Sequence, residues 1–194
     1  GSLYFYKQNE NFFGDTAFGQ DVEVAEFDEE EYGFVLSGPI IKDKLFFLAS
    51  YDEFNSGSGR TFVQNDADDG INPALYSGIN QIVQDTYGFD LGGRPDTVSL
   101  PVTSERFFGK IDWEINDNHR ASFSYQDTKE NGFSGVGQTT FQSAYYETPQ
   151  DVKAYNAELF SNWSESFSTN LRVNFKDNSR GQFCNAGDGV GAFE

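Results

Sequence analysis

His119 is the only histidine in the chain and Cys184 the only cysteine. Most side-chain chemistry stops at that inventory. His119 falls in Asn116-Asp117-Asn118-His119, beside Arg120, and no Ser or Cys lies in a recognisable nucleophile motif, so a triad has no support. Cys184 has no second thiol for a disulfide or a zinc site, which leaves it free or paired with a cysteine outside this sequence. Carboxylates are abundant, 31 Asp and Glu against 13 Lys and Arg, yet no pair stands out from the acidic background as a glycosidase pair would have to. We therefore assign no catalytic residue and no cofactor-binding residue, and expect the chain not to be an enzyme.

Cation binding is the chemistry that carboxylates retain, and its metal ligands are unknown at this level. From Gln8 to Glu30 there are eight acidic residues, Glu10, Asp15, Asp21, Glu23, Glu26, Asp28, Glu29 and Glu30, and no Lys or Arg. Such a segment holds a negative potential that attracts divalent cations, those bridging lipopolysaccharide included, although solvated repulsion is its ordinary behaviour. Asn65-Asp66-Ala67-Asp68-Asp69-Gly70 looks like the start of a calcium loop. It fails at the third position, Ala67, and at the twelfth, Tyr76, where a bidentate Glu is required.

The net charge of −18 makes nucleic acid a poor partner, because phosphate binding needs a basic face. Aromatic residues make up 17% of the chain, with 21 Phe and 10 Tyr, while hydrophobic content is only 37% and Gly reaches 20. β-formers, much Gly and a polar majority suit strands whose alternate side chains meet an apolar medium and water. The longest apolar run, Leu45-Phe46-Phe47-Leu48-Ala49, is far short of the roughly 18 residues of a membrane helix, which excludes helical insertion and not insertion as a barrel. The sequence has no Met and begins in strand-like residues, as a piece cut from a longer chain would.

The elements follow from period-two alternation. Phe107, Gly109, Ile111, Trp113 and Ile115 oppose Arg106, Lys110, Asp112, Glu114 and Asn116; after a polar turn, Ala121, Phe123 and Tyr125 oppose Ser122, Ser124 and Gln126. Tyr155, Ala157, Leu159 and Trp163 oppose Asn156, Glu158 and Asn162, and beyond Ser164-Glu165-Ser166, Leu171, Val173 and Phe175 oppose Asn170, Arg172, Asn174 and Lys176. Tyr32 to Ile41 and Leu45 to Phe54 form an earlier hairpin through Lys42-Asp43-Lys44, and Leu3 to Lys7 ends a preceding strand. About seven strands of about 9–12 residues result, long enough to cross a bilayer on a tilt.

Short links at 42–44, 116–119 and 164–166 alternate with long ones at roughly 8–31, 56–104, 129–151 and 178 onward. Outer-membrane barrels show this asymmetry, with tight periplasmic turns and long extracellular loops. Leu75, Ile79, Ile82 and Val83 within Pro73 to Gly88 follow helical spacing, which predicts a short amphipathic helix whose apolar stripe packs against its own loop. The fold class expected is all-β: a partial, antiparallel, up-and-down transmembrane β-barrel, with one long loop carrying a helix.

The stretch from Tyr32-Gly33-Phe34-Val35-Leu36-Ser37-Gly38-Pro39-Ile40-Ile41 through Lys42-Asp43-Lys44 to Leu45-Phe46-Phe47-Leu48-Ala49-Ser50-Tyr51-Asp52 resembles a hairpin of TonB-dependent receptors, especially the Oar-like group. That group reads Gly-Gly-Pro-Ile-Ile-Lys-Asp-Lys-Leu-Phe-Phe-Phe, then Tyr with an acidic neighbour; Ser37 stands for the first Gly. Arg106-Phe107-Phe108-Gly109-Lys110-Ile111-Asp112 followed by Asn118-His119-Arg120 is similar to the next hairpin. The resemblance covers the strands from about Gly1 to Asp177, and makes residues 1–194 part of the barrel domain. It implies a barrel of about 22 strands closed around an N-terminal plug and energised through a short N-terminal box, neither of which is visible here. The partners implied are outer-membrane lipid, the receptor's own plug, the TonB complex and an extracellular substrate of unknown identity; the location implied is the Gram-negative cell outer membrane.

Structural roles are expected for the remaining signals. Gly38-Pro39 tolerates a missing ladder bond near a turn, and Lys42-Asp43-Lys44 is a solvated turn. Trp113 and Trp163 lie near the short turns, where an aromatic girdle meets the membrane interface. Arg106, Lys110, Asp112, Glu114, Glu158, Arg172 and Lys176 mix signs and suit ion pairing across a polar interior. Functionally the sequence points to an outer-membrane receptor for energy-coupled nutrient uptake; the rival readings are an adhesin or glycan-binding surface barrel and a soluble carbohydrate-binding β-protein. The isolated chain is predicted not to be a stable soluble monomer, since its terminal strands leave unpaired backbone and its apolar band lacks a lipid partner. Size-exclusion chromatography and thermal melting without detergent check this; a monodisperse monomer with a cooperative transition would favour the soluble protein.

Overall fold

A strand buries one of every two side chains, and its backbone needs a neighbour on each side, so alternating segments joined by tight polar turns have one economical arrangement: a meander. The computed structural model describes residues 1–194 except 13, 15, 22–26, 62–72, 94–96, 138 and 186–194. Seven strands lie in chain order in one sheet: β1 (Ser2–Asn9), β2 (Asp28–Ile41), β3 (Leu45–Thr61), β4 (Thr97–Asn116), β5 (His119–Asn131), β6 (Gln150–Ser164) and β7 (Phe167–Arg180). Every neighbouring pair is antiparallel. The sheet is open, with β1 and β7 as its edges, and every residue of β7 is exposed.

The three short connections share one construction. Next to each turn the register slips by one residue, between Pro39 and Ile41, Glu114 and Asn116, and Asn162 and Ser164. A bulge there raises the local twist and bends the hairpin. Asp43 adopts φ 61°, a left-handed conformation that a short polar side chain tolerates, and Lys44 N–H donates to Ile41 O at 3.1 Å. Asn116 Oδ1 accepts from the amides of Asn118 at 2.9 Å and His119 at 3.0 Å, which closes the second turn by a side chain. The bulge also ends the strict alternation read for Ile115, which is the residue skipped in the register.

The strands are 8 to 20 residues long, not the 9–12 expected. Pairing of β3 with β4 continues from Leu45↔Trp113 to Thr61↔Thr97, beyond Phe54, the last apolar residue of β3, because ladder hydrogen bonds form in water as well as in lipid. The loops shrink accordingly to 10–27, 62–96 and 132–149.

The expected helix is present as α1 (Pro73–Tyr87), but its apolar stripe is not covered. Leu75 is 58% and Ile82 65% exposed, and Ile79 is exposed as well; Tyr76, Asn80 and Val83 are the less exposed positions. Polar anchoring wins over apolar burial here: Asn80 Nδ2 donates to Asp90 Oδ1 at 2.9 Å, and Leu91 N–H donates back to Asn80 Oδ1 at 2.8 Å. Those bonds fix which face of the helix turns inward. No helix among the described residues is long and apolar enough to cross a membrane.

Gly33 marks the closest approach in the sheet. It is buried, and a Cβ there would collide with the Tyr51 carbonyl oxygen and the Tyr4 hydroxyl. Gly38 on the same strand would meet only Phe47 Cε1, at 3.7 Å. Gly33→Ala is expected to cost about 1–3 kcal/mol through overpacking, and Gly38→Ala close to nothing; urea unfolding of both variants in detergent measures the difference.

Candidate functional site

The register sorts the side chains of all seven strands onto two faces. One carries Leu3, Phe34, Phe47, Ile111, Phe123, Leu159, Leu171 and Val173, brought together by pairs such as Phe47↔Ile111, Ile111↔Phe123 and Leu159↔Leu171. Phe123 is 47% and Leu171 62% exposed, so nothing among the described residues covers this band. An apolar face that stays open on a whole sheet needs an apolar medium.

Aromatic rings edge this band on both sides. Towards the loops, Phe107, Tyr125, Tyr155 and Phe175 form a ladder with ring centroids 6.1, 4.8 and 6.1 Å apart, and Tyr51 stacks on Phe34 at 6.1 Å. The tyrosine hydroxyls point away from the band: Tyr51 donates to Glu53 at 2.6 Å and Tyr125 to Asp127 at 2.8 Å. Towards the turns lie Trp113, Phe167, and Trp163, whose ring sits 5.0 Å from His119 and whose Nε1 donates to Thr169 Oγ1 at 2.9 Å. Tyr155 and Trp163 are about 27 Å apart along β6, comparable with the ~25 Å apolar band of outer-membrane barrels. The two tryptophans thus sit where the sequence placed them. His119 packs on an indole.

Polar residues dominate the second face, with Phe46, Leu48, Phe108 and Phe160 among them, and several of its charges pair. Arg106 reaches Glu130 at 3.0 Å and Asp52 at 3.9 Å, Lys110 reaches Asp112 at 2.8 Å, and Arg172 reaches Glu158 at 3.2 Å. Tyr4 donates to Asp52 at 2.5 Å, Asn156 to Ser124 at 3.2 Å and Asn170 to Glu158 at 2.9 Å. Glu114 and Lys176 make no ion pair among the described residues. Arg120 lies over the Phe160 ring at 4.8 Å, beside a cavity of about 280 Å³ whose lining includes Lys110, Asp112, Glu114 and Glu158. Alternation alone missed the pairing partners Asp52 and Glu130, which lie on strands whose register no local pattern supplies. Exposed pairs of this kind each contribute about 0–1 kcal/mol, so they set shape and polarity more than stability.

The loop ends converge into a small platform. Phe133–Ser134, Tyr146–Glu147 and Phe183–Cys184 form a three-stranded sheet. Tyr145 beside it is 1% exposed, and the Cys184 thiol, which is free, donates to Ser143 O at 3.0 Å. Ser143 N–H donates to Leu91 O at 3.0 Å, and Tyr76 of α1 packs on Phe141 at 5.1 Å. Asp90 is held below the ordinary carboxylate range by the Asn80 amide and then by the Gly92 backbone N–H. Segments far apart in sequence are thereby tied together at one end of the sheet.

Of the acidic segment 8–30, Asp28 and Glu30 are strand residues that flank Lys7, at 3.5 Å and 2.5 Å. Asp15, Glu23, Glu26 and the stretch Asn65 to Gly70 lie outside the described residues. No group of three His, Cys, Asp or Glu side chains able to hold a metal ion occurs among the described residues.

Residues 1–85 match the family model described as an outer membrane beta barrel domain. The sheet is part of the wall of an outer-membrane β-barrel. No curated protein and no solved structure matches the chain. In an outer-membrane barrel the apolar face with its two aromatic edges meets lipid, and the polar face meets the interior. Arg introduced at Ile111 or Phe123 is expected to cost about 2–4 kcal/mol, and at Ser124 or Asn156 much less; folding into lipid vesicles monitored by urea titration compares the faces, and equal costs would contradict the assignment.

Proposed function

We propose that this barrel wall belongs to a receptor that captures a nutrient outside the cell and passes it through the barrel with energy supplied from the inner membrane, as in the TonB-dependent receptors that the Tyr32–Asp52 hairpin resembles. The observation that carries the reading is the division of labour between the two ends of the sheet. Three minimal turns close one end, whereas the other bears long loops that pack on one another around Tyr145. Loops that exist only to connect strands do not need a shared platform.

In this reading the long loops lie outside the cell and the turns at 42–44, 117–118 and 165–166 face the periplasm. The interior face, with its ion pairs and its Arg120–Phe160 cavity, forms part of the route or of the seat of a plug. The plug, the TonB complex and the substrate are partners of the proposal alone. The exposed stripe of Leu75, Ile79 and Ile82 supports a second reading, in which the loops adhere to a macromolecule and nothing is transported.

One measurement tests the sidedness that both readings share, and a second separates them. In a Cys184→Ser background, Thr139→Cys is expected to react with an impermeant maleimide on intact cells, and Asn118→Cys only after permeabilisation; the reverse pattern overturns the sidedness. Replacing residues 73–93 by a short linker is expected to abolish growth on a limiting nutrient while the protein still inserts. Loss of surface adhesion with growth unchanged would favour the adhesin.

A further inference from the structure

Asn131 is the one asparagine of the chain that is followed by glycine, and it stands where β5 ends. Its last partner on β4 is Thr103, so the Gly132 amide has left the ladder. That amide donates instead to Asn131 Oδ1 at 3.0 Å, while Asn131 Nδ2 donates to Glu147 Oε1 at 2.6 Å. The Gly132 carbonyl is held in turn by Thr148 N–H at 2.8 Å and Thr148 Oγ1 at 3.1 Å. In no other asparagine among the described residues does the carboxamide accept from the amide that directly follows it. Asn9, Asn80 and Asn116 accept from amides further along the chain, and Asn55 and Asn156 lie inside strands paired on both sides.

The arrangement puts a backbone nitrogen beside a side-chain carbonyl in the approach that intramolecular attack requires. Glycine leaves that nitrogen unshielded, because it has no side chain to crowd the incoming carbon. The carboxamide contact is exposed, so water reaches it. We propose that Asn131 is a site of self-modification, attacked by the Gly132 nitrogen, and that the product releases the loop platform from β5. The Gly132 amide gives its proton to solvent base and its nitrogen bonds to Asn131 Cγ. The Cγ–Nδ2 bond breaks, and the departing nitrogen takes a proton from water and leaves as ammonia. Water then opens the imide at either carbonyl, which leaves aspartate or isoaspartate at position 131. One water is consumed and one ammonia released, with no oxidant and no cofactor.

The product carries a new negative charge into an acidic place. A carboxylate at position 131 has no proton to give Glu147 and faces it across the 2.6 Å that a hydrogen bond now spans. The cavity of about 430 Å³ that Asn131 borders is lined by Glu53, Glu105, Glu130 and Asp151 against one cation, Lys129, which adds to the repulsion. Glu147 also pairs with Phe133 in the small sheet at the loop ends. Loss of the Asn131–Glu147 bond therefore frees that sheet from the end of β5. The chemistry is independent of what the barrel carries, so it stands apart from the receptor reading.

The test incubates the protein, purified in mild detergent, at neutral and at mildly alkaline pH, with peptide mass mapping over time. Position 131 is expected to gain about 1 Da. It should do so roughly tenfold faster than any other asparagine, and faster at the higher pH, because the attacking amide must lose its proton. Gly132→Ala, whose Cβ would meet only Val102 Cγ2 at 4.0 Å, is expected to fold unchanged and to remove that advantage. Hydrogen exchange at Phe133, Ser134, Tyr146 and Glu147 reads the consequence. Asn131→Asp is expected to speed it, and Asn131→Asp combined with Glu147→Gln to restore the original rate, because the glutamine again supplies a donor. Modification of Asn131 no faster than that of the other asparagines, or equally fast in Gly132→Ala, overturns the self-modification. Exchange unchanged by Asn131→Asp, or not restored by Glu147→Gln, overturns the release of the platform.

Discussion

A backbone amide inside a hydrocarbon layer has no water to bond, so each N–H and C=O of the membrane-crossing segments must find a partner on an adjacent strand. That requirement fixes the register of six antiparallel ladders, and the register then decides nearly everything else. Because successive side chains point to opposite faces, a slip of one residue would carry Phe47, Ile111 and Phe123 inward and Lys110, Asp112 and Ser124 into lipid. The bulges beside all three turns hold the register where it is, each beside a connection too short to admit a second pairing.

From the same register come the two belts and the inner network. Tyrosines occupy the boundary because a ring and a hydroxyl prefer different media, and Tyr51 and Tyr125 resolve the conflict by donating to carboxylates two residues further out. At the opposite boundary the Trp163 N–H is satisfied in the other direction, by Thr169 Oγ1 on the bandward side. On the inner face, Arg106 bridges β3 and β5 by reaching Asp52 and Glu130, so one guanidinium ties three strands at the level where the apolar band ends. The edges β1 and β7 show what closure supplies: β7 keeps a perfect alternation and is nevertheless exposed at every residue.

Beyond the band the constraint relaxes, because water can satisfy the backbone. The β3–β4 ladder continues through Gly57↔Pro101 to Thr61↔Thr97, carrying the loops away from the boundary on a two-stranded extension. The loops pack by other means: side-chain amides on backbone, a thiol on a carbonyl, one buried tyrosine. Such contacts orient a surface without demanding an apolar core. They also leave the Leu75–Ile82 stripe of α1 bare.

By itself the sequence determined the seven strands, their order, the two faces, the positions of Trp113 and Trp163 and the existence of α1. All of these follow from period-two or helical alternation and from turn residues, which act over a few positions and so are written locally. It did not determine where the strands stop: the end of β3 from Asn55 is polar and leaves no periodic trace, and on β4 the alternation of Val98, Leu100 and Val102 is broken by Pro101, a residue that argues against a paired strand. Nor did it show that Phe108 lies among polar neighbours on the inner face, opposite Ser50 and Gln126. The inward face of α1, the meeting of residues 91, 143 and 184, and the contact of Asn131 with Glu147 were decided only by the tertiary structure. Each depends on contacts between segments many residues apart, whose free energies are set by distance in space, which no local pattern encodes.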